Sequence, residues 1–260
     1  MSSALPPTVI VGAAGMLGRA WRKLLDARGE SCVGLDRPEI DITDAASVAA
    51  AIPPGTRVVV NCAAYTDVDA CETHEADAHR VNADGPARLA ERCAAVDAVL
   101  VHYSTDYVFA GDADTPYPVD APIAPASAYG RTKAAGEAAI RDTGCRHLIV
   151  RTSWLYAPWG NNFVRTMLKL TAERNALNVV NDQRGRPTSA QHLAAVSKQL
   201  LDAEAEGTYH VTDGGECTWH GFTAEIARRA GPPHDRCDVR PSTTAAFPSP
   251  PPQPADSDLA

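Results

Sequence analysis

"TVIVGAAGMLGRAWRKLL" (residues 8–25) runs from a β-branched apolar stretch, through a glycine turn, into a segment with apolar residues at helical spacing. Gly12, Gly15 and Gly18 fall at the junction. A strand-to-helix turn needs glycine there for two reasons: the turn is tight, and a side chain would hold the backbone away from a bound pyrophosphate. The N-terminus of the following helix adds free N–H groups and a partial positive charge. The spacing is G-x-x-G-x-x-G, not the commoner G-x-G-x-x-G, so the residues predict a dinucleotide turn without matching the general fingerprint letter for letter.

Downstream the same alternation repeats. Short apolar runs occur at 31–35, 57–61, 98–104 and 147–153, separated by alanine-rich segments. Leu17, Trp21, Leu24 and Leu25 form one apolar helical stripe. Strands that are apolar throughout and alternate with helices predict a parallel sheet covered on both faces, hence a doubly wound, Rossmann-like α/β fold. The rhythm loosens after residue 153. The expected division is a nucleotide-binding domain over 1–153, a smaller α/β substrate lobe over 154–240, and a proline-rich, extended or mobile tail over 241–260.

Length and composition suit a soluble globular chain. A formal net charge of −8 argues against a nucleic-acid or anionic-membrane partner. No apolar run is long enough to span a membrane, and the N-terminus lacks the features of a signal peptide. Seven scattered cysteines with no C-x-x-C predict reduced thiols in a cytoplasm, with neither a disulfide framework nor a metal site.

Asp36 ends the second predicted strand, where a carboxylate would meet the adenosine ribose. Arg37 follows and could face a 2′-phosphate, so NADH and NADPH both stay open. Asp41 is placed for the adenine side, while Asp44 equally suits a helix N-cap. "VHYSTDYVF" (101–109) follows the fourth strand and offers hydroxyls from Ser104 and Thr105, the acceptor Asp106, and Tyr107. In "SAYGRTK" (127–133), Tyr129 and Lys133 are four residues apart, on one face of a helix. An ammonium beside a phenol is expected to lower its pKa toward neutrality, and the lysine can also reach a nicotinamide ribose. Thr105, in preference to Ser104, would polarise a substrate carbonyl in the third role.

"NCAAYTDVDACE" (61–72), "STDYVFAG" (104–111), "YGRTKAAGE" (129–137), "VRTSWLYAPWGNNFV" (150–164) and "NDQRGRPT" (181–188) resemble the extended short-chain dehydrogenase/reductases. Within that superfamily they are most similar to the dTDP-4-dehydrorhamnose reductase family. The resemblance covers nearly the whole chain. It implies reduction of the C4 ketone of a dTDP-linked 4-keto-6-deoxyhexose by NADPH or NADH. By motif, Tyr129 becomes the proton donor, Lys133 its partner and Thr105 the third catalytic group. Gly12, Gly15, Met16, Leu17, Gly18, Asp36, Arg37, Asp41, Ile42, Ala64, Tyr65, Thr66, Tyr103, Tyr129 and Lys133 fall on cofactor positions. Thr105, Asp106, Tyr107 and Trp154 fall on substrate positions, although Trp154 also reads as a core aromatic at a strand end. Some relatives form magnesium-dependent dimers, so a homodimer and Mg2+ come with the resemblance; no carboxylate cluster in the sequence supports the metal.

Two relatives on the same scaffold compete with this reading. Dehydratases that make the 4-keto sugar place an acid after Thr-Asp, where this chain has Tyr107. The regulatory β subunit of methionine adenosyltransferase is a non-catalytic binding protein; the Thr105, Tyr129 and Lys133 set favours an enzyme over it. A different nucleotide-sugar epimerase or reductase is the remaining alternative. The tail departs from the family pattern: Pro251 replaces an alanine and Gln253 an arginine, and the short final helix of many relatives is missing. Glutamine cannot replace the bidentate cationic donor, so affinity for the usual sugar nucleotide is the expectation most exposed to this change.

Overall fold

The computed structural model describes residues 8–113, 115–246 and 259–260. Pro251 and Gln253 lie outside the described residues. Strands β1 (Thr8–Val11), β2 (Cys32–Leu35), β3 (Val58–Asn61), β4 (Val99–Thr105) and β5 (His147–Thr152) pair in parallel. Helix α1 (Met16–Ala27) joins β1 to β2, and α2 (Ala45–Ala51) joins β2 to β3. Helices α3 (Val68–Thr73), α4 (Glu75–His79) and α5 (Gly85–Val96) lead from β3 to β4, and α6 (Ala128–Asp142) leads from β4 to β5.

Beyond β5 come, in chain order, the short strand β6 (Leu155–Tyr156), helix α7 (Phe163–Glu173) and the short strands β7 (Ala176–Val180), β8 (Arg184–Gly185) and β9 (Thr188–Ser189). The chain then returns to the main sheet through α8 (Ala190–Asp202) and β10 (Gly207–His210). Then follow β11 (Cys217–Thr218), α9 (Trp219–Ala230), β12 (Asp238–Ser242) and a 3-10 turn at Thr244–Ala246. The main sheet has the order β10-β5-β4-β3-β1-β2.

Side-chain alternation along the strands feeds two cores, because successive residues point to opposite faces. Ile10, Val60, Val101 and Leu148 pack with Leu17, Trp21 and Leu25 of α1 and Leu193 of α8. Val9, Val11, Val59, Leu100 and Ile149 pack with Val48 of α2, Leu89 of α5 and Ile140 of α6. The strands flanked on both sides are therefore apolar along most of their length, and toward their carboxyl ends they carry buried polar residues such as Asn61, His102 and Arg151.

Two expectations change. The 154–240 segment is not a lobe apart: α8 covers one face of the main sheet beside α1, and β10 is its sixth strand, pairing with β5. A run such as 207–210 carries no mark of which sheet it joins; Leu193 and Ala194 find their apolar surface on α1. What remains distinct is a small unit built from β7, β12, α7 and α9 around Leu177, Val179, Cys237 and Phe163. At the described ends of the 241–260 tail the chain is packed rather than mobile. Residues 241–242 belong to β12, and Leu259 is buried against Val108, Phe109 and Tyr117, with Ala260 N–H donating to the Tyr117 carbonyl at 2.9 Å.

Candidate active site

All the predicted chemistry lies past the carboxyl ends of the parallel strands, where doubly wound sheets leave a crevice. The turn after β1 is closed tightly. Gly12 has φ +77°, and a Cβ there would sit 2.7 Å from the Ala63 nitrogen. A Cβ on Gly18 would sit 2.2 Å from the Gly12 carbonyl oxygen. These are backbone atoms that cannot swing aside. Gly18→Ala is therefore expected to cost about 3 kcal/mol, read as a fall of roughly 5–10 °C in melting temperature.

Gly15 is the N-cap of α1 and supplies no side-chain cap, so the first-turn N–H groups are left for an anionic ligand. Asp36 reaches back to the same turn, its two oxygens accepting Ala14 N–H at 2.9 and 3.1 Å. Gly12, Gly15, Asp36, Arg37, Ile42, Ala64 and Tyr65 line one cleft of about 400 Å³. A backbone cradle at a helix N-terminus with a carboxylate at its rim fits a dinucleotide.

The other predicted cofactor residues contribute differently. Leu17 is core, and Gly18 allows helix and turn to meet. Met16 offers its carbonyl to Trp159 Nε1–H at 3.0 Å. Asp41 accepts from the Thr43 N–H and hydroxyl and pairs with Arg37 at 3.2 Å, while Asp44 is the N-cap of α2. Tyr103 turns its ring into the core, where its hydroxyl accepts Trp21 Nε1–H at 2.6 Å; only its carbonyl faces the site. A larger recess of about 800 Å³ along α1 and β2, walled by Arg19, Arg22, Lys23 and Trp159, holds none of the predicted residues. Chemistry follows the convergence of side chains, not volume.

At the end of β4, Thr105 caps a single 3-10 turn, Asp106–Val108, and its hydroxyl donates to Asp106 Oδ1 at 2.8 Å. Ser104 alternates to the opposite face of the strand, which leaves Thr105 as the hydroxyl beside Tyr129. Ser127 is the N-cap of α6, so Tyr129 and Lys133 stand in the first turns of that helix. The Tyr129 and Tyr107 rings meet edge to face, with centroids 5.6 Å apart. Lys133 is buried and donates to the Tyr103 carbonyl at 2.6 Å.

The protonation pattern differs from the sequence expectation. Burial, reinforced by the Asp106 charge and opposed by a hydrogen bond with Thr105, holds the Tyr129 phenol above its ordinary range. Burial pushes the Lys133 ammonium down to about 8, with Glu137 opposing. The lysine does not lower the phenol: its Nζ donates to the Tyr103 carbonyl, and His102 Nε2 lies 3.3 Å from it.

Trp154, just after β5, has φ +46° and stacks on Trp219 with centroids 3.4 Å apart. A non-glycine residue in the left-handed region costs free energy and persists where surrounding contacts fix it. Gly185 of the "DQRGRPT" run leaves the space that Trp154 Cε2 fills, 2.6 Å from where a Cβ would be.

Several contributors had no sequence signal of their own. Asn82, in a π-helical turn at Arg80–Asp84, accepts Tyr65 N–H at 2.8 Å and donates to the Tyr65 carbonyl and the Thr132 hydroxyl. It ties the cofactor-side loop to α6. Trp219, His102 and Asn61 likewise needed the tertiary structure to be seen. Among the described residues no group of three or more His, Cys, Asp or Glu side chains is placed to hold a metal ion, and no helix is long and apolar enough to cross a membrane.

Known proteins resemble the chain over nearly its whole length. The family model described as the RmlD substrate binding domain matches residues 7–260. The chain is 45% identical over 255 residues to a dTDP-4-dehydrorhamnose reductase of Streptomyces griseus, covering 94% of this chain and 82% of that protein. It is 44% identical over 259 residues to a probable dTDP-4,6-dihydroxy-2-methyloxan-3-one 4-ketoreductase of Streptomyces antibioticus, covering 96% and 85%. A dTDP-4-dehydrorhamnose reductase from Bacillus anthracis, solved in complex with NADP, superposes with a TM-score of 0.94 at 35% identity, covering 98% of this chain and 90% of that one. With its doubly wound sheet, glycine cradle and whole-length match, the chain belongs to the dTDP-4-dehydrorhamnose reductase family of oxidoreductases.

Proposed function

We propose that the chain reduces the C4 ketone of a dTDP-linked 4-keto-6-deoxyhexose, with Tyr129 giving the proton to the sugar oxygen. One observation carries this reading: Thr105, Asp106, Tyr129 and Lys133 stand together past β4, on the same edge of the sheet as the glycine turn. Gly12, Gly15, Gly18 and the start of α1 would hold the pyrophosphate, and Asp36 the adenosine ribose. Arg37 lines the same cleft as Asp36 and would be the cation available to a 2′-phosphate; the Bacillus anthracis relative was solved with NADP. A reduced nicotinamide supplies the hydride.

The residues of this chain do the rest. The raised phenol stays protonated at neutral pH, so Tyr129 carries its proton when the ketone oxygen becomes negative. Thr105 stands beside that phenol and counters part of the effect of its burial. Asp106 and Tyr107 form the wall next to it, and Trp154, locked by Trp219 and Gly185, gives the sugar nucleotide a rigid aromatic contact.

The test mixes purified protein, NADPH and dTDP-4-keto-6-deoxy-L-mannose, and follows loss of the reduced-nicotinamide absorbance. The expected result is one NADPH oxidised per ketone reduced; no oxidation with this substrate overturns the assignment. The Streptomyces antibioticus relative carries a second reading, in which the same residues reduce the ketone of another dTDP-linked deoxysugar. Turnover with such a substrate alone would select it.

A further inference from the structure

Behind the proposed site lies a chain of buried polar groups that the reaction as described does not use. Asn61 ends β3 and is paired in register with His102 on β4. Its Oδ1 accepts Ala63 N–H at 3.1 Å, and its Nδ2 meets His102 Nδ1 at 3.1 Å. The other ring nitrogen, Nε2, lies 3.3 Å from Lys133 Nζ. All three side chains are almost fully buried.

The Asn61 amide has only one acceptable orientation. Turned over, its NH2 would point at the Ala63 N–H, donor against donor. With Nδ2 toward the imidazole, His102 Nδ1 must accept, so a neutral ring carries its proton on Nε2. Burial, and then the Lys133 charge, hold the ring neutral. The Nε2–H therefore faces Lys133, which a neutral amine can accept and an ammonium cannot.

We propose that His102, fixed by Asn61 in its Nε2–H tautomer, is a positioning residue that turns an N–H toward Lys133 and so makes the ammonium give up its proton more readily. The proposal rests on the reading of Tyr129 and Lys133 as a proton-handling pair. An N–H held 3.3 Å from Lys133 Nζ disfavours the ammonium and can be accepted by the neutral amine, so it acts in the same direction as the burial that brings Lys133 down to about 8.

Other charged groups around α6 have partners of their own. Glu137 is matched by Arg151 of β5 at 2.8 Å and by Arg141 at 3.2 Å. At the start of the helix, Glu72 of α3 accepts Ala128 N–H, and Glu75 of α4 pairs with Arg131. Asp106 acts on Tyr129. Among the described residues, His102 is thus the titratable side chain shown meeting Lys133 Nζ directly.

Two measurements test this. Two-bond ¹H–¹⁵N NMR of the wild-type protein at neutral pH reads which nitrogen of His102 is protonated; Nε2–H is expected, and Nδ1–H overturns the proposal without any assay of activity. In pH profiles of turnover, His102→Leu removes the opposing N–H. Its alkaline limb should move up by on the order of one pH unit, with kcat reduced and KM for the sugar nucleotide unchanged. His102→Gln, whose amide N–H can replace Nε2–H, should keep the wild-type limb. Identical limbs in all three proteins, or a downward shift in His102→Leu, refute the role; if His102→Leu does not fold, the NMR result decides. Full activity of Tyr129→Phe would instead remove the underlying proton pair while leaving the tautomer as measured.

Discussion

Replacing Tyr129 with phenylalanine should lower kcat by roughly 10²–10⁴-fold, the usual range for losing a positioned general acid, while NADPH binds as before. The substitution removes one oxygen and keeps the ring. Edge-to-face packing on Tyr107 and contact with the Cys71, Ala78 and Ala128 cluster survive, so the helix start holds its place. The glycine turn and Asp36 are untouched, and cofactor affinity by fluorescence titration should match wild type. What disappears is the donor whose proton burial keeps bound at neutral pH. Turnover near the wild-type rate would show that the proton comes from elsewhere.

Glu137→Ala should produce the largest loss of stability, about 3–5 kcal/mol, as expected when one partner of a buried ion pair is removed. Glu137 has no exposed side-chain surface. It accepts Arg151 Nε–H at 2.9 Å and Nη2–H at 2.8 Å, a bidentate pair joining α6 to β5. Arg151 also donates to the Val119 carbonyl at 2.8 Å and is 3% exposed, so the truncation strands a cation inside the protein. Thermal melts would read the change. Glu225→Ala on α9, whose partners Arg228 and Arg229 are exposed, is the control and should barely move the transition.

The pH dependence of that difference follows from the same geometry. Burial alone would raise the Glu137 pKa, but the hydrogen bonds and charge of Arg151 outweigh it and hold the carboxyl below its ordinary value. A group depressed in the folded state contributes its stabilisation above its unfolded pKa of about 4.3 and loses it as pH falls through the folded value. The gap between Glu137→Ala and wild type should therefore be constant near neutrality and close in acid. A gap that widened in acid would contradict the ion-pair account.

Much of the site was legible in the chain because its elements are local. Gly12, Gly15 and Gly18 are read from one turn, Tyr129 and Lys133 from one helical period, and Asp44 as an N-cap from its own neighbours. Residues whose roles depend on partners far along the chain were not legible. Trp21 and Tyr103 are 82 positions apart before their side chains meet, and Asn82 reaches Thr132 across 50. Tyr103 fell on a cofactor position by motif, yet its ring is in the core, because only strand pleating decides which face a residue takes.

By itself, then, the sequence determined the doubly wound fold, the glycine turn and the one-face spacing of Tyr129 and Lys133, since apolar period, glycine spacing and helical period are properties of neighbouring residues. The tertiary structure alone decided that β10 and α8 complete the main sheet, that Trp154 leans on Trp219, and that Lys133 faces Tyr103 and His102. The physical reason is burial. Desolvation and the identity of a distant partner set the charge of Lys133 and Tyr129, and neither quantity is written in the spacing of residues along the chain.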